Sequence, residues 1–187
     1  MKNQLFPALR FTIVMLVLCC VLYPAVVWAV AQLSPGHGEG VQITRHGRVV
    51  GFANVGQKFD KPAYFSSRPS AADYHADGSS GSNKGPSNPE YLATVRARLA
   101  TFLVQNPGVR PADVPSELLT ASGSGLDPHL SPQGALVQVP RIAAARHLPA
   151  AQVRALVAAG LETSLLGPDH VNVLQLNLAL DDLAGKK

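Results

Sequence analysis

The chain has 187 residues, of which 47% are hydrophobic and 15% charged, and this length accommodates one ordinary domain beside one additional segment. Lys2 and Arg10 account for two of the 16 basic residues, so the rest of the chain exceeds its 12 acidic residues by only two. Such a weak positive charge excludes a nucleic-acid-binding surface. The two cysteines, Cys19 and Cys20, lie in one apolar stretch, which excludes disulfides and thiolate zinc sites from the remainder of the chain.

An uncharged apolar segment, Phe11–Val30, is long enough at about 1.5 Å per residue to cross a hydrocarbon layer of about 30 Å. It predicts a transmembrane helix over residues 11–33. Lys2 and Arg10 lie in the preceding flank, residues 1–10, and the positive-inside rule places that flank in the cytoplasm. A cleaved secretory signal is the alternative, because Ala29–Ala31 has the small-x-small form of a cleavage site. Under both interpretations the following domain lies outside the cytoplasm.

The region after the span begins with a Gly-rich hinge, residues 34–40, and we expect one domain over residues 41–187. Alternating apolar and polar residues around His46-Gly47 predict a β-hairpin. The segment Ser66–Pro89 is then rich in Ser, Gly, Asn and Pro and has no periodicity. Long structureless loops are uncommon in compact domains and are usually functional, so this loop is a candidate binding surface.

Capping residues and prolines predict three helices. Asn88 and Ser131 each precede a proline, an arrangement in which the first side chain caps the helix and the proline suits its first position. Pro140 must kink or split the second helix, because proline lacks the amide that continues it. The predicted helices run from Asn88 to near Asn106, from Ser131 towards Arg146, and from Leu148 to Gly160.

The last periodic segment, residues 170–180, alternates apolar and polar side chains and predicts a strand. Strands at both ends with helices between them predict an α+β fold, with one N-terminal transmembrane helix followed by a mixed α/β extracytoplasmic domain. The acidic pair Asp181-Asp182, followed by Lys186-Lys187, predicts an exposed polar tail. The predicted inner face of the strand consists of Leu174, Leu176, Leu178 and Leu180.

The stretch TASGSGLDPHLSP, residues 120–132, combines serines with Asp127 and His129, which raises the hypothesis of a hydrolase site. A nucleophile elbow needs glycines two positions before and after the serine, and neither Ser122 nor Ser124 has them. Turn formation by the glycines and helix capping by Ser131 explain the same residues without chemistry. A membrane-anchored hydrolase that uses Asp127, His129 and a nearby serine is the enzymatic alternative.

A second polar stretch provides weak candidates for a nucleotide-binding loop: Ser82, Asn83, Lys84 and Gly85. A Walker A loop places Gly-Lys-Ser/Thr before a helix, whereas here Lys84 precedes Gly85-Pro86 and proline has no amide to donate. A flexible or partner-ordered surface loop is the competing interpretation. A nucleotide- or solute-binding module is the corresponding alternative function.

Metal and carboxylate recognition are the remaining possibilities. The six histidines are scattered without a helical His-x-x-x-His pair, so no metal site and no cofactor are predicted in this chain. Arg68 before Pro69 and Arg141 after Pro140 each carry a planar fork of donors. Each arginine either ties loops together or grips a carboxylate of a partner.

Five motifs then occur together: YFSSRPSAADY at 64–74, SGSNKGPSNP at 80–89, TASGSGLDPHLSP at 120–132, VPRIAAAR at 139–146 and VNVLQLN at 171–177. Their order and spacing, after a single span, resemble the C subunit of the Kdp potassium-transporting ATPase, the KdpC family, over nearly the whole chain. The chain departs from the family pattern at Ser66, where an aromatic is expected, and at Val137, often a tyrosine. It departs also at Ser80, where the expected glycine belongs to a loop said to contact nucleotide.

The resemblance implies a non-catalytic accessory subunit of an ATP-driven potassium uptake pump in the bacterial inner membrane. Its implied partners are the lipid bilayer, a potassium-conducting subunit, a P-type ATPase subunit and a small single-helix subunit. The family is needed for assembly and is also described as a catalytic chaperone that raises the ATP affinity of the pump subunit.

The topology inferred from Lys2 and Arg10 instead turns the polar loops away from cytoplasmic ATP. We therefore expect assembly on the potassium-conducting subunit in preference to direct nucleotide binding. The expected partner contacts are Arg68, Pro69, Asn83, Gly85, Asn88, Ser122, Gly123, Ser124, Gly125, Asp127, His129 and Arg141.

Overall fold

The computed structural model describes residues 2–185, so the predicted Lys186-Lys187 end of the tail lies outside the described residues. The chain divides into two compact units, residues 1–42 and 43–187. The first unit is a continuous helical run: α1 (Lys2–Val17), a π-helical turn (Leu18–Leu22) and α2 (Tyr23–Ala31). Within the π turn the Tyr23 N–H pairs with the Leu18 carbonyl. This local adjustment directly precedes Pro24, which has no amide of its own to donate.

The helical run contains one candidate membrane span, Gln4–Ala31, as judged by length and composition. Its 28 residues would extend about 40 Å, enough for a hydrocarbon core of about 30 Å. The helix begins at Lys2, earlier than the apolar segment that starts at Phe11. A helix that is apolar on every side is suited to a bilayer or to contact with partner helices.

The second unit mixes short strands with helices, and the predicted α+β class is confirmed. The hairpin turns at His46-Gly47 as predicted, with positive φ at both residues, which suits the tight turns that join two strands. Residues 66–88, all of them described, contain neither helix nor strand. The elements are β1 (Gln42–Arg45), β2 (Arg48–Phe52), α3 (Pro89–Gln105), β3 (His129–Leu130), α4 (Pro132–Leu136), α5 (Val139–Arg146), α6 (Ala150–Ala159), β4 (Leu161–Glu162), β5 (His170–Asn172) and α7 (Val173–Gly185), with short 3₁₀ turns at Pro111–Asp113 and Ser116–Leu118.

Two of the three predicted helix starts are confirmed by their side-chain caps, and the third helix begins at Ala150 after Pro149. The Asn88 side chain accepts the Tyr91 amide at 3.0 Å, and the Ser131 hydroxyl accepts the Gly134 amide at 3.0 Å. Each cap satisfies one amide that the first turn of a helix leaves without an internal partner. Pro140 divides the second predicted helix into α4 and α5, because it lies in the first turn of α5.

Three short strands form an antiparallel sheet in the order β3-β5-β4. His129 lies opposite Asn172, and Glu162 lies opposite His170. The helices pack around this sheet, and the core combines residues from the sheet, from α3 to α7 and from the loop before α3. Its fully buried members include Phe65, Leu130, Val139, Ile142, Val153, Val171 and Leu180.

The prediction of a C-terminal strand beyond Asn172 is wrong. The strand ends there, and residues 173–185 form α7. The Asn172 side chain accepts the Gln175 amide at 3.1 Å and so caps the helix. The buried positions of α7 are Val173, Leu174, Leu176, Asn177 and Leu180, and their spacing of three and four residues is that of one helix face. The alternating leucines concealed this period because one inward position is the polar Asn177.

Candidate functional site

The two polar loops singled out in the sequence meet in the structure. The Ser80 amide donates to the Ser124 carbonyl at 2.9 Å, and the Ser122 amide donates to the Pro69 carbonyl at 3.1 Å. The Ser79 hydroxyl adds a bond of 3.1 Å to the same Ser124 carbonyl. Residues 68–88 and 120–131 therefore form one continuous surface, which we name the loop surface.

An ion pair closes the loop surface at its base. The Arg68 guanidinium donates to the Asp127 carboxylate at 2.9 Å, and the two side chains are partly buried, with 25% and 27% of their surface exposed. Asp127 also accepts the His129 amide at 3.0 Å through its other oxygen. The Arg68 carbonyl accepts the Tyr74 hydroxyl at 2.6 Å, and burial raises the pKa of Tyr74 to about 12. Arg68 thus serves as the tie between the loops, one of its two predicted roles.

Two glycines permit close backbone contacts of residues 120–131, one contact with Ser80 and the other with residue 56, which follows β2. Gly125 has a φ of +71°, and a Cβ atom there would lie 2.7 Å from the Ser80 carbonyl oxygen. A Cβ atom on Gly56 would lie 2.5 Å from the Asp127 carbonyl oxygen. Larger residues at either position would force the backbones apart. Gly85 and Gly123 differ, because a Cβ atom at either would meet no described heavy atom within 4 Å. Both therefore lie on the open side of the loop surface.

A pair of histidines borders the loop surface. The rings of His129 and His170 lie 4.4 Å apart between centroids, edge to face. Burial, and then the proximity of His170, holds the pKa of His129 below its ordinary value, while Asp127 and Glu162 act in the opposite direction. His129 Nδ1 lies 3.6 Å from Asp127, too far for a well-formed hydrogen bond.

This arrangement does not form a hydrolase triad in residues 2–185. The nearest serine along the chain, Ser131, donates its hydroxyl to Glu117 at 2.6 Å while it caps α4. Asp127 is engaged by Arg68 rather than held against a His129 ring nitrogen. The described residues also contain no group of three or more His, Cys, Asp or Glu side chains arranged to hold a metal ion.

The nucleotide-loop candidates Ser82, Asn83, Lys84 and Gly85 lie in an exposed stretch of the loop surface. The Lys84 ammonium contacts the Glu90 carboxylate at 2.5 Å, and this contact lowers the pKa of Glu90. Asn83 has a positive φ of 52°. The lysine is therefore directed at an acid in the first turn of α3, and nucleotide binding by this stretch stays a prediction.

Arg141 lies away from the loop surface and is only 9% exposed. Its guanidinium donates to Asn106 Oδ1 at 3.0 Å, to Gln138 Oε1 at 2.8 Å and to the Pro62 carbonyl. Burial lowers the pKa of Arg141 to about 10. Arg141 is thus a tie inside the domain, one of its two predicted roles, and its predicted contact with a partner would need a rearrangement of this site.

Two buried amide side chains, which the sequence pattern did not indicate as functional, bind the backbone of Phe65 and Ser66 where the long loop begins. Asn177 accepts the Phe65 amide at 2.8 Å and donates to the Phe65 carbonyl at 3.0 Å. Gln138 accepts the Ser66 amide at 2.9 Å and donates back to the Ser66 carbonyl at 3.4 Å. These side chains replace the neighbouring strand that an extended segment normally pairs with. The signal available in the sequence was a polar residue, Gln138 or Asn177, within an otherwise mostly apolar segment.

The predicted exposed acidic tail is wrong at Asp181. Its carboxylate contacts Arg146 at 2.7 Å, Arg45 at 3.4 Å and the Tyr64 hydroxyl at 3.2 Å. The Arg146 guanidinium also lies 4.4 Å from the centre of the Tyr64 ring. Asp181, on the helix α7, therefore connects α5 to the β1–β2 hairpin and to Tyr64, which lies just before the long loop.

Comparison with known proteins identifies the family. The profile of the KdpC family, described as K+-transporting ATPase, c chain, matches residues 5–182. The chain belongs to the KdpC family. It is 52% identical over 183 residues to the potassium-transporting ATPase KdpC subunit of Flavobacterium johnsoniae, which covers 98% of this chain and 100% of that relative. The KdpC subunits of Flavobacterium psychrophilum and Bacteroides thetaiotaomicron are 49% and 50% identical over 184 and 186 residues, covering 98% and 96% of this chain and 100% and 98% of the relatives.

Family membership confirms the resemblance read from the five motifs. The chain is an accessory subunit of the Kdp potassium-uptake ATPase and is not itself an enzyme. This assignment contradicts the hydrolase alternative, in agreement with the engaged Ser131 and Asp127 side chains.

Proposed function

We propose that the domain after the span lies outside the cytoplasm and docks through the loop surface on the potassium-conducting subunit of the complex. In this proposal the span, residues 11–33, holds the chain in the bacterial inner membrane, and residues 34–40 connect it to a domain over residues 41–187. The chain performs no chemistry and favours the partner conformation to which it binds. The main support is the joining of two irregular polar loops into one fixed surface.

The fixed geometry of the loop surface favours binding over flexibility. A loop that is already ordered loses less conformational entropy when it binds. The Arg68–Asp127 pair, the Ser80–Ser124 bond and the close approach at Gly125 all order the loops without a partner. A surface of this kind, with ordered backbone and small exposed side chains, suits close contact with another protein.

The orientation follows from Lys2 and Arg10 and is tested by a reporter enzyme fused after Lys187. We expect alkaline phosphatase, which is active only after export, to be active in this fusion, and a cytoplasmic reporter at the same position to be inactive. A matched control moves the charge bias by replacing Lys2 and Arg10 with Gln, which should reduce the exported fraction. An active cytoplasmic reporter on the unaltered chain would contradict the proposed orientation.

The docking role predicts that bulk at an open position of the loop surface blocks assembly. Gly123→Trp adds a large side chain where the described chain leaves space, so the fold should tolerate it. We expect at least about a tenfold loss of co-purified partner subunits, the size of effect seen when a central interface position is disrupted. The measurement is co-purification of the detergent-solubilised complex together with the thermal unfolding of the isolated chain.

The matched control is Val104→Trp on α3, which places the same side chain at a position 82% exposed. Co-purification should be unchanged in this control, and both variants should unfold at the temperature of the unaltered chain. Normal assembly of the Gly123→Trp variant would show that the loop surface is not the docking site.

A further inference from the structure

The loop between β4 and β5, residues 163–169, exposes two adjacent leucines. Leu165 is 97% exposed and Leu166 is 96% exposed, more than any other large apolar residue after the span. Single apolar residues are common on protein surfaces, whereas two adjacent leucines at a hairpin tip form a protruding apolar knob. We name Leu165 and Leu166 the leucine tip.

The base of the hairpin has a defined register that presents the leucine tip. Glu162 and His170 lie directly opposite each other on β4 and β5, with 3.6 Å between the carboxylate and His170 Nε2. The other ring nitrogen of His170 lies 3.2 Å from the Pro168 carbonyl oxygen. The tip is therefore carried on a short, paired stem, which lowers the entropic cost of inserting it into a partner.

The hairpin that carries the leucine tip adjoins the loop surface. A cavity of about 170 Å³ is lined by Pro168, Asp169 and His170 from the hairpin and by Arg68, Asp127 and His129 from the base of the loop surface. The hairpin and the loop surface are thus neighbours across this cavity. A partner that covers the loop surface and this hairpin would contact the leucines by burying little additional surface area.

The charges around the tip favour a protein partner over the bilayer. Glu162 and Asp169 flank the loop, and Arg68, the basic residue that lines the adjoining cavity, is already paired with Asp127. Segments that settle on membrane surfaces normally combine apolar residues with Lys and Arg, which are attracted to anionic lipids. Two leucines flanked by two carboxylates are complementary to an apolar pocket that is bordered by basic residues.

We propose that Leu165 and Leu166 are anchor residues that insert into an apolar, basic-rimmed pocket of the potassium-conducting subunit of the complex. The inference rests on the proposed function, because it adds two specific contacts to the docking of the loop surface. Anchors of this kind carry much of the binding energy of an interface, while the surrounding contacts exclude water.

The first test is the double variant Leu165→Ser with Leu166→Ser in the full chain, produced together with the other subunits. We expect at least about a tenfold loss of co-purified partner subunits, as for the loss of interface anchors. Thermal unfolding of the chain should not change, because both side chains are exposed in the domain. The matched control, Val104→Ser on α3, removes an apolar side chain that is 82% exposed and should leave co-purification unchanged.

The second test places an environment-sensitive fluorophore on Leu166→Cys after Cys19 and Cys20 have been replaced by Ser. We expect a blue shift of emission in the assembled complex and none when the chain alone is in vesicles of phosphatidylcholine and phosphatidylglycerol. A blue shift in vesicles without partners would overturn the proposal in favour of lipid contact. The absence of a shift in both samples would also overturn it.

The outcomes separate this inference from the proposed function. If Gly123→Trp prevents assembly and the leucine variant assembles normally, the loop surface docks but the leucine tip is no anchor. If neither variant affects assembly, both proposals fail. Loss of assembly in the leucine variant alone would assign docking to the hairpin and remove the loop surface from the interface.

Discussion

Replacing Asn177 with Asp should destabilise the domain by about 3–5 kcal/mol at neutral pH, the cost of leaving a buried charge unpaired. Asn177 is 2% exposed and exchanges two hydrogen bonds with the backbone of Phe65. The aspartate has nearly the same shape but directs a second acceptor at the Phe65 carbonyl oxygen. It thus loses a donor and buries a negative charge at the same point. Most single domains unfold with only about 5–15 kcal/mol, so the effect is large.

Chemical denaturation of the full chain in detergent, followed by circular dichroism, measures this loss. Gln175→Glu is the matched control, because it makes the same amide-to-acid change at an exposed position of α7. We expect that control to change the free energy of unfolding by less than about 0.5 kcal/mol. Equal effects of the two variants would show that Phe65 does not depend on the Asn177 amide.

The pH dependence of the Asn177→Asp variant provides a second readout. Burial should raise the pKa of the new carboxyl above its unfolded value of about 3.9. Between the unfolded pKa and the raised folded pKa, the folded state binds more protons than the unfolded state. The free energy of unfolding therefore falls as the pH rises through this interval. The deficit relative to the unaltered chain should therefore shrink between pH 7 and pH 5, and a constant deficit would contradict the buried position of the carboxyl.

Replacing Arg141 with Met is expected to cost about 2–4 kcal/mol, because three acceptors lose their donor together. These acceptors belong to the segment that follows β2, to the end of α3 and to the junction of α4 and α5, at Pro62, Asn106 and Gln138. Methionine fills most of the volume but donates no hydrogen bond. Gln138 also accepts a hydrogen bond from the Ser66 amide. Displacement of the Gln138 side chain should therefore weaken the ordering of the chain just before the loop surface.

Thermal unfolding of the full chain tests the role of Arg141, and Arg154→Met on the exposed face of α6 is the control. The control should change stability by less than about 0.5 kcal/mol. Arg141→Lys should fall between the two, since one ammonium cannot reproduce a planar fork directed at three acceptors. A Met variant as stable as the unaltered chain would show that the desolvation cost of the guanidinium offsets its hydrogen bonds.

Local chemistry explains which elements were predictable. Asn88 and Ser131 cap helices through a side chain that reaches only three residues ahead. Pro140 divides α4 from α5 through its own missing amide. The span is defined by a continuous run of apolar residues. Each of these features depends on neighbours in sequence, so each was readable without the fold.

The C-terminal residues show why other features could not be predicted from the sequence. Alternating leucines suited a strand, yet α7 is a helix because its inward face meets both the core and the backbone of Phe65. Asp181 is close to the end of the chain but lies against Arg146 and Arg45, which are remote in sequence. Tertiary contact overrode the local pattern at both positions.

The family, the apolar span, the helix caps and the two polar loops could all be recognised from the amino-acid sequence, since each depends on adjacent residues or on ordered motifs. The folded domain was needed to show that the two loops share one surface, that Arg68 and Asp127 join them, and that the β4–β5 hairpin lies beside them. The physical reason is that these contacts join residues far apart in the chain. Their partners are selected by packing of the whole domain, which no local pattern specifies.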